Sequence, residues 1–377
     1  MVLLLLILQA FILWKPDRCT ASLNVQCPQA IFSFGDSLSD TGNAVAAFPT
    51  TRPVEAFPYG QTYFHHPAKR YSDGRLVIDF IAQAFGFPFL APYLQAIEPD
   101  YRHGVNFASS GATARSTTIV SPFNLQTQVN QLISFRKDFL ALQNKSSGQP
   151  LLPAAESFSS ALYILSIGFN DFWQNWKYNH VSFPQMEANV IPGAVQSIKT
   201  AVQELYAAAG ARNFVVFNVP AMGCIPQVLS SFGSANGNDY AQNGCLLHHN
   251  NLVSLFNGQL RTALAKLRQQ LPDATLFSFD YYAFHNDSVI NPQDYGFYRD
   301  TTLVACCGGG GKYNDPGQSC GPSTKNICLD PFAYISWDGL HFTEGFNRLM
   351  AQALLTGKFI DPAYDLSALC YLDFSTF

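Results

Sequence analysis

Five short apolar runs recur along the chain: AIFSF (30–34), GVNFAS (104–109), ALYILSIG (161–168), NFVVFNVP (213–220) and TLFSFD (275–280). Several are continuous rather than alternating, the pattern of strands buried on both faces. Between them the apolar positions switch to helical spacing, in RLVIDFIAQAF (75–85), LQTQVNQLISFRKDFLAL (125–142), IPGAVQSIKTAVQELYAAA (191–209) and NNLVSLFNGQLRTALAKLRQQL (250–271). A last helix is predicted over 342–356. The 250–271 segment places basic residues toward its C-terminal half, where they complement the helix dipole. Strand alternating with helix predicts a mostly parallel sheet with helices on both faces, an open doubly wound α/β/α fold. No linker composition and no internal repeat interrupts the alternation, so we read a single domain.

Two stretches break the pattern. Residues 46–74 are rich in Pro, Gly and aromatics and read as a surface excursion. Residues 305–331 hold four Cys and a run of four Gly, and read as a cross-linked loop.

The N-terminus begins with VLLLLILQAFILW (2–14), followed by Lys15 and Pro16. A membrane-spanning helix needs about 20 apolar residues, so this run fits the core of a signal peptide better. A cut after Ala21 has small residues at both −3 and −1. The run is not preceded by Lys or Arg, and a buried N-terminal helix or a signal anchor is the competing reading. The expectation is a signal peptide over 1–21 and a folded domain over 22–377. That cut removes Cys19 and leaves eight of the nine Cys, at 27, 224, 245, 306, 307, 320, 328 and 370. An even count suits a disulfide framework, and eight Cys allow 105 pairings. Asn144 and Asn286 each open an N-x-S sequon and are glycosylation candidates. Together these features predict a secreted protein, extracellular or in a cell wall, with no integral membrane segment after cleavage.

Composition narrows the function classes. Of 377 residues, 48% are hydrophobic, which excludes global disorder. Only 13% are charged, the net charge is −4 and no basic stripe is visible, so nucleic acid is not an expected partner. Nothing in the sequence sets an oligomeric state.

Candidate chemistry sits at the ends of the runs, where ligands bind in open α/β sheets. The first run leads into FGDSLSDTGN (34–43), and Ser37 stands at a strand-to-helix turn, exposed for nucleophilic attack. A serine hydroxyl needs an adjacent base; alternatively, Asp36-Ser37 caps the following helix. The segment SWDGLHFTEG (336–345) supplies Asp338 and His341, three residues apart, the carboxylate–imidazole half of a triad. The competing reading is a helix N-terminus capped by Thr343 or Asp338. SIGFNDF (166–172) offers Asn170 as an amide donor to an oxyanion, or as a turn residue. NFASSGATA (106–114) offers the Gly111 N–H for the same purpose, or an ordinary tight turn. Nucleophile, two donors and an Asp/His pair amount to a serine hydrolase built on one edge of a sheet.

In these blocks the chain resembles the GDSL esterases/lipases, also called SGNH hydrolases. The four blocks of that family are GDS (35–37), NFASSGA (106–112), GFND (168–171) and DGLH (338–341) here, in family order. YSDGRLVIDFIAQAFGFPFLAPYL (71–94), NVPAMGCIPQ (218–227) and ACCGGGGKYN (305–314) are similar to the secreted plant-type subfamily. The resemblance implies a flavodoxin-like α/β/α fold and ester hydrolysis without a metal or cofactor. It implies Ser37 as nucleophile, His341 as general base and acid, and Asp338 as its orienting partner. The oxyanion hole it implies is made of the Ser37 and Gly111 backbone N–H groups and the Asn170 side chain.

Other motifs carry weaker readings. Gly317-Gln318-Ser319-Cys320-Gly321 matches a nucleophile elbow as a string, but it lies in a loop rather than between a strand and a helix. Gly308 to Gly311 lacks the G-K-[ST] ending of a phosphate loop. Cys306, Cys307, Cys320 and Cys328 read as disulfide partners rather than zinc ligands. His65-His66 and His248-His249 read as ordinary surface or core histidines. Phe172, Trp173, Trp176 and Tyr178 line the acyl or sugar site or simply pack the core.

The sequence thus predicts a secreted serine esterase, and the resemblance implies substrates among short acyl esters of glycans or glycosides, or lipid esters. An acyltransferase using the same residues and a non-catalytic glycan-binding protein are the alternatives.

Overall fold

The computed structural model describes residues 27–49, 52–117, 120–143, 151–234, 237, 239–315, 320–368, 370–375 and 377. The predicted signal peptide and Asn144 lie outside the described residues, as does Ser319.

The five apolar runs form the centre of one sheet. Strands β1 (Ile31–Gly35), β2 (Gly104–Asn106), β3 (Leu162–Ser166), β4 (Asn213–Phe217) and β5 (Thr275–Phe279) are parallel neighbours. All but one of their residues are buried, which explains their unbroken apolar character. The order is β2-β1-β3-β4-β5, with a short antiparallel edge strand beyond β5 that the sequence pattern did not announce. This edge strand, β8 (Ile360–Asp361), is only two residues long, too short to show a period. A separate ribbon pairs β6 (Cys307–Gly308) with β7 (Asn326–Ile327).

Helices cover both faces. Leu125–Gln143, Ile191–Glu204 and Leu247–Gln270 pack together on one side; Val77–Ala84 packs against Glu344–Leu355 on the other. Thr343 caps the last helix by accepting from the Phe346 N–H at 3.2 Å. The result is the expected three-layer α/β/α fold as a single domain. The apolar pattern does not announce the helices Phe169–Lys177, Pro226–Phe232 and Tyr281–Ile290; the first and last of these begin within three residues of a strand's end.

Register decides where function can sit. Gly35 pairs with Ser166, Ser166 with Phe217, and Phe217 with Phe279, so four strands end in one line. The segments that follow them therefore converge on one sheet edge.

Disulfides Cys27–Cys370, Cys224–Cys245, Cys306–Cys328 and Cys307–Cys320 consume all eight Cys of the predicted framework. The last two staple the ribbon loop, so the four cysteines that could be drawn as a zinc site are covalently paired. The 46–74 stretch is only in part the surface excursion its composition predicts: Phe48, Phe57, Tyr63, His65 and His66 are exposed. Val54, Tyr59 and Tyr71, by contrast, are buried in a small core with Trp337 and Cys307, where the Val54 side chain and the two phenol rings find apolar surface beside the 336–342 segment.

Candidate active site

Beyond Gly35, the chain turns through Asp36 and Ser37. The Asp36 Oδ1 accepts from the Leu38 N–H at 3.0 Å, which shapes the turn. The regular helix starts only at Asn43, so Ser37 is not its cap. The capping work falls to Asp40, whose carboxylate accepts from the N–H groups of Gly42, Asn43 and Ala44 at 2.7, 2.7 and 3.1 Å. Asp40 also accepts from the Ser110 N–H at 2.8 Å, tying the serine block to the glycine block. Asn43 and Asn106 complete the weave. Asn43 Nδ2 donates to Asn106 O and Ala108 O, and Asn106 Nδ2 donates to Ser39 O and Thr41 Oγ1.

The Asp338–His341 turn is built the same way. Asp338 Oδ1 accepts from the backbone N–H groups of Leu340 at 3.0 Å and His341 at 2.8 Å. Its Oδ2 faces the His341 Nδ1 at 2.7 Å. An ionised carboxylate only accepts, so the proton lies on Nδ1 and Nε2 is left as an acceptor. The Ser37 hydroxyl donates to that Nε2 at 2.8 Å, across 304 residues of sequence. The two readings of this segment thus both hold: Thr343 caps the helix and Asp338 binds the imidazole.

Asn170 stands in the first turn of Phe169–Lys177, directly after β3. That helix clasps the glycine block with three side chains. Asn170 Nδ2 donates to Ala112 O at 3.0 Å, and Gln174 Nε2 donates to Gly111 O at 2.8 Å. Asp171 accepts from the Ala114 and Arg115 N–H groups at 2.7 and 3.1 Å. Gly111 has φ +79°, a left-handed conformation that a side chain resists, and a Cβ there would lie 2.7 Å from Val120. Asn170 keeps a second amide hydrogen, and the Gly111 carbonyl is held by Gln174, so both residues have fixed orientations.

Ser37, Asp338, His341 and Asn170 are all buried, and with Gly111 they lie in the segments that follow the aligned strand ends or precede the last helix. Burial alone would raise the Asp338 pKa. The His341 charge and the hydrogen bonds from His341 and Tyr59 outweigh it and bring the group down to about 2. Asp36 is pushed the other way, up to about 7, by complete burial; one of its oxygens has no partner.

Several contributors were not singled out from sequence. Asp40, Asn43 and Asp171 lie inside or beside the blocks, and the spacing of Asn170 and Gln174, four apart on one helix face, was a usable signal. Tyr59 and Tyr71 had none: the Tyr59 hydroxyl donates to Asp338 Oδ2 at 2.8 Å, and the Tyr71 ring lies 4.8 Å from that of His341.

Among the described residues, the other motifs take no part in these contacts. The Gly308–Gly311 turn is closed by Asn314, whose Oδ1 accepts from the Gly310 N–H at 2.9 Å. His65 and His66 are exposed, while His249 is packed among Trp176, Phe183 and Phe232. Phe172, Trp173 and Trp176 are buried in the core, whereas Tyr178 is 53% exposed. Asn286 sits on the helix Tyr281–Ile290 and its Oδ1 accepts from Asn243 Nδ2 at 3.2 Å. Among the described residues, no helix is long and apolar enough to cross a membrane.

Comparison with known proteins bears on the family of the whole chain. A family model described as GDSL-like lipase/acylhydrolase matches residues 31–354. The GDSL esterase/lipase ENOD8 of Medicago truncatula is 38% identical over 366 residues, covering 93% of this chain and 92% of that protein. An esterase of Hevea brasiliensis is 36% identical over 381 residues, covering 96% and 94%. Alpha-L-fucosidase 3 of Arabidopsis thaliana is 34% identical over 345 residues, covering 87% and 90%.

Proposed function

The chain belongs to the GDSL lipase/acylhydrolase family and is a carboxylic ester hydrolase, and from that premise we propose that it works through an acyl-enzyme on Ser37. The observation that carries this reading is the unbroken hydrogen-bonded line from Ser37 Oγ through His341 to Asp338. His341 Nε2 takes the hydroxyl proton as Ser37 Oγ attacks the ester carbonyl. The same nitrogen then delivers that proton to the departing alcohol oxygen. A water molecule repeats the attack on the acyl-serine, and Ser37 is regenerated. Asp338 holds the imidazole in the tautomer this requires and balances the imidazolium charge.

The Ser37 and Gly111 N–H groups and the Asn170 amide receive the oxyanion. Their support is the clasp of the Phe169–Lys177 helix on the glycine block, which fixes donors before substrate arrives. Removing one such donor is expected to lower kcat by about 10²–10³.

The substrate is an ester of short acyl groups on a glycan or glycoside. One relative's name, an alpha-L-fucosidase, favours a carbohydrate partner over a lipid. The four disulfides and the apolar N-terminal run support a secreted protein. The test is hydrolysis of p-nitrophenyl esters from acetyl to palmitoyl, by wild type and Ser37→Ala. Acetyl-ester turnover abolished by Ser37→Ala is expected. A palmitoyl optimum would move the substrate to lipid, and equal activity in both proteins would sink the Ser37 mechanism. Adding a sugar alcohol as competing acceptor separates hydrolysis from acyl transfer by its products.

A further inference from the structure

Asp338 receives one hydrogen bond more than its own turn and His341 supply. The extra donor is the hydroxyl of Tyr59, 2.8 Å from Oδ2, the same oxygen that faces His341 Nδ1 at 2.7 Å. With the Leu340 and His341 N–H groups on Oδ1, the carboxylate carries four donors, two on each oxygen. Four is the full acceptor capacity of an ionised carboxylate. Tyr59 comes from a segment 279 residues away in sequence and outside every block that carries the chemistry.

The phenol is built into its place. Tyr59 is 1% exposed, with its ring edge-on to Trp337 and to Tyr71 at centroid distances of 6.1 and 6.5 Å. Its N–H donates to Ala56 O, and the next residue's N–H donates to Ser72 O. Burial and the Asp338 charge hold the phenol far above its ordinary titration range, so it stays neutral and keeps its proton to donate. Tyr71, its neighbour, lies against the imidazole.

We propose that Tyr59 is a positioning residue that acts through Asp338, fixing the carboxylate against rotation and limiting how strongly it attracts the His341 proton. A carboxylate whose charge is shared among four donors holds an imidazolium less tightly than one with three. Tyr59 thereby keeps His341 ready to return its proton to the leaving alcohol. Other charged or titratable groups face the pair. Asp36 follows β1, Asp315 comes from the stapled loop, and Tyr71 belongs to the 46–74 segment. All three remain in the variant, so its difference from wild type isolates the phenol hydroxyl.

The inference rests on the Ser37 reading, and the experiment separates the two. Tyr59→Phe keeps the ring and removes only the hydroxyl. On p-nitrophenyl acetate we expect kcat to fall about tenfold, the scale of one charge-assisted hydrogen bond, with KM within twofold. The acid limb of the kcat/KM profile should move to higher pH, because Asp338 then stabilises the imidazolium more. The downfield proton resonance of the His341–Asp338 hydrogen bond should shift, and should do so equally in a Ser37→Ala background that has no turnover. Loss of activity with an unmoved acid limb and an unmoved resonance would overturn the proposal, since that is what a purely structural role produces. Wild-type kcat with a wild-type pH profile would overturn it as well. Persistent activity in Ser37→Ala alone would instead defeat the underlying mechanism.

Discussion

Gly35→Ala is expected to cripple the enzyme while changing the identity of none of the proposed catalytic residues. Gly35 ends β1 opposite Ser166 of β3, and a Cβ there would lie 2.5 Å from the Ser166 carbonyl oxygen. That atom is backbone within a parallel ladder and cannot swing aside. Ordinary contact begins at 3.4 Å, so the two strand ends must part by about 0.9 Å, the difference between those distances. Gly35 is itself clamped: its N–H donates to Gln128 Oε1 at 2.9 Å, and its carbonyl accepts from Gln128 Nε2 at 2.8 Å. The displacement therefore passes to Ser37, two residues on, whose hydroxyl now sits 2.8 Å from His341 Nε2. A misplacement of about 1 Å typically costs about 10²-fold in rate, and overpacking a tight site costs about 1–3 kcal/mol in stability. The assay is kcat and KM on p-nitrophenyl acetate, with near-ultraviolet circular dichroism to establish that the variant is folded. A folded Gly35→Ala protein with kcat within threefold of wild type would refute the reasoning.

Other variants test the surrounding framework. Glu344 pairs with Arg75 at 2.7 Å with only 2% and 7% of their side chains exposed, so Glu344→Gln should cost about 3–5 kcal/mol in urea unfolding; a loss below about 1 kcal/mol would show the pair to be dispensable. Asp73 is pushed up from 3.8 to about 7, chiefly by burial and with help from the nearby Glu344 charge, against the opposing hydrogen bond from the Glu344 N–H. The native state then holds a proton that the unfolded chain releases, so this group's contribution to stability falls as pH rises from about 4 through 7. Asp73→Asn should lose less stability than wild type across that window, and identical slopes would contradict the assignment.

The fold was legible because its strands are buried on both faces and its longest helices keep one apolar stripe. The site was legible because four of its members follow strand ends or precede the last helix. What sequence did not disclose depends on contacts between distant segments. Tyr59 and Tyr71 look like surface aromatics in a Pro- and Gly-rich stretch; only the folded chain brings them to Asp338 and His341. The helix Phe169–Lys177 carries Phe169, Phe172, Trp173 and Trp176 at i, i+3, i+4 and i+7, a period present in the sequence, but it is only nine residues long and its polar face is buried against the glycine block rather than turned to solvent. Even the pairing of the eight cysteines is set by the fold, since Cys27 and Cys370 meet only when the two ends of the domain come together.

The most direct measurement of the central claim is peptide mapping by mass spectrometry after reaction with diisopropyl fluorophosphate. The account predicts one phosphoryl adduct per chain, on Ser37, with loss of esterase activity in step, and little labelling in His341→Ala. An adduct on Ser319, or inactivation with Ser37 unmodified, would contradict it.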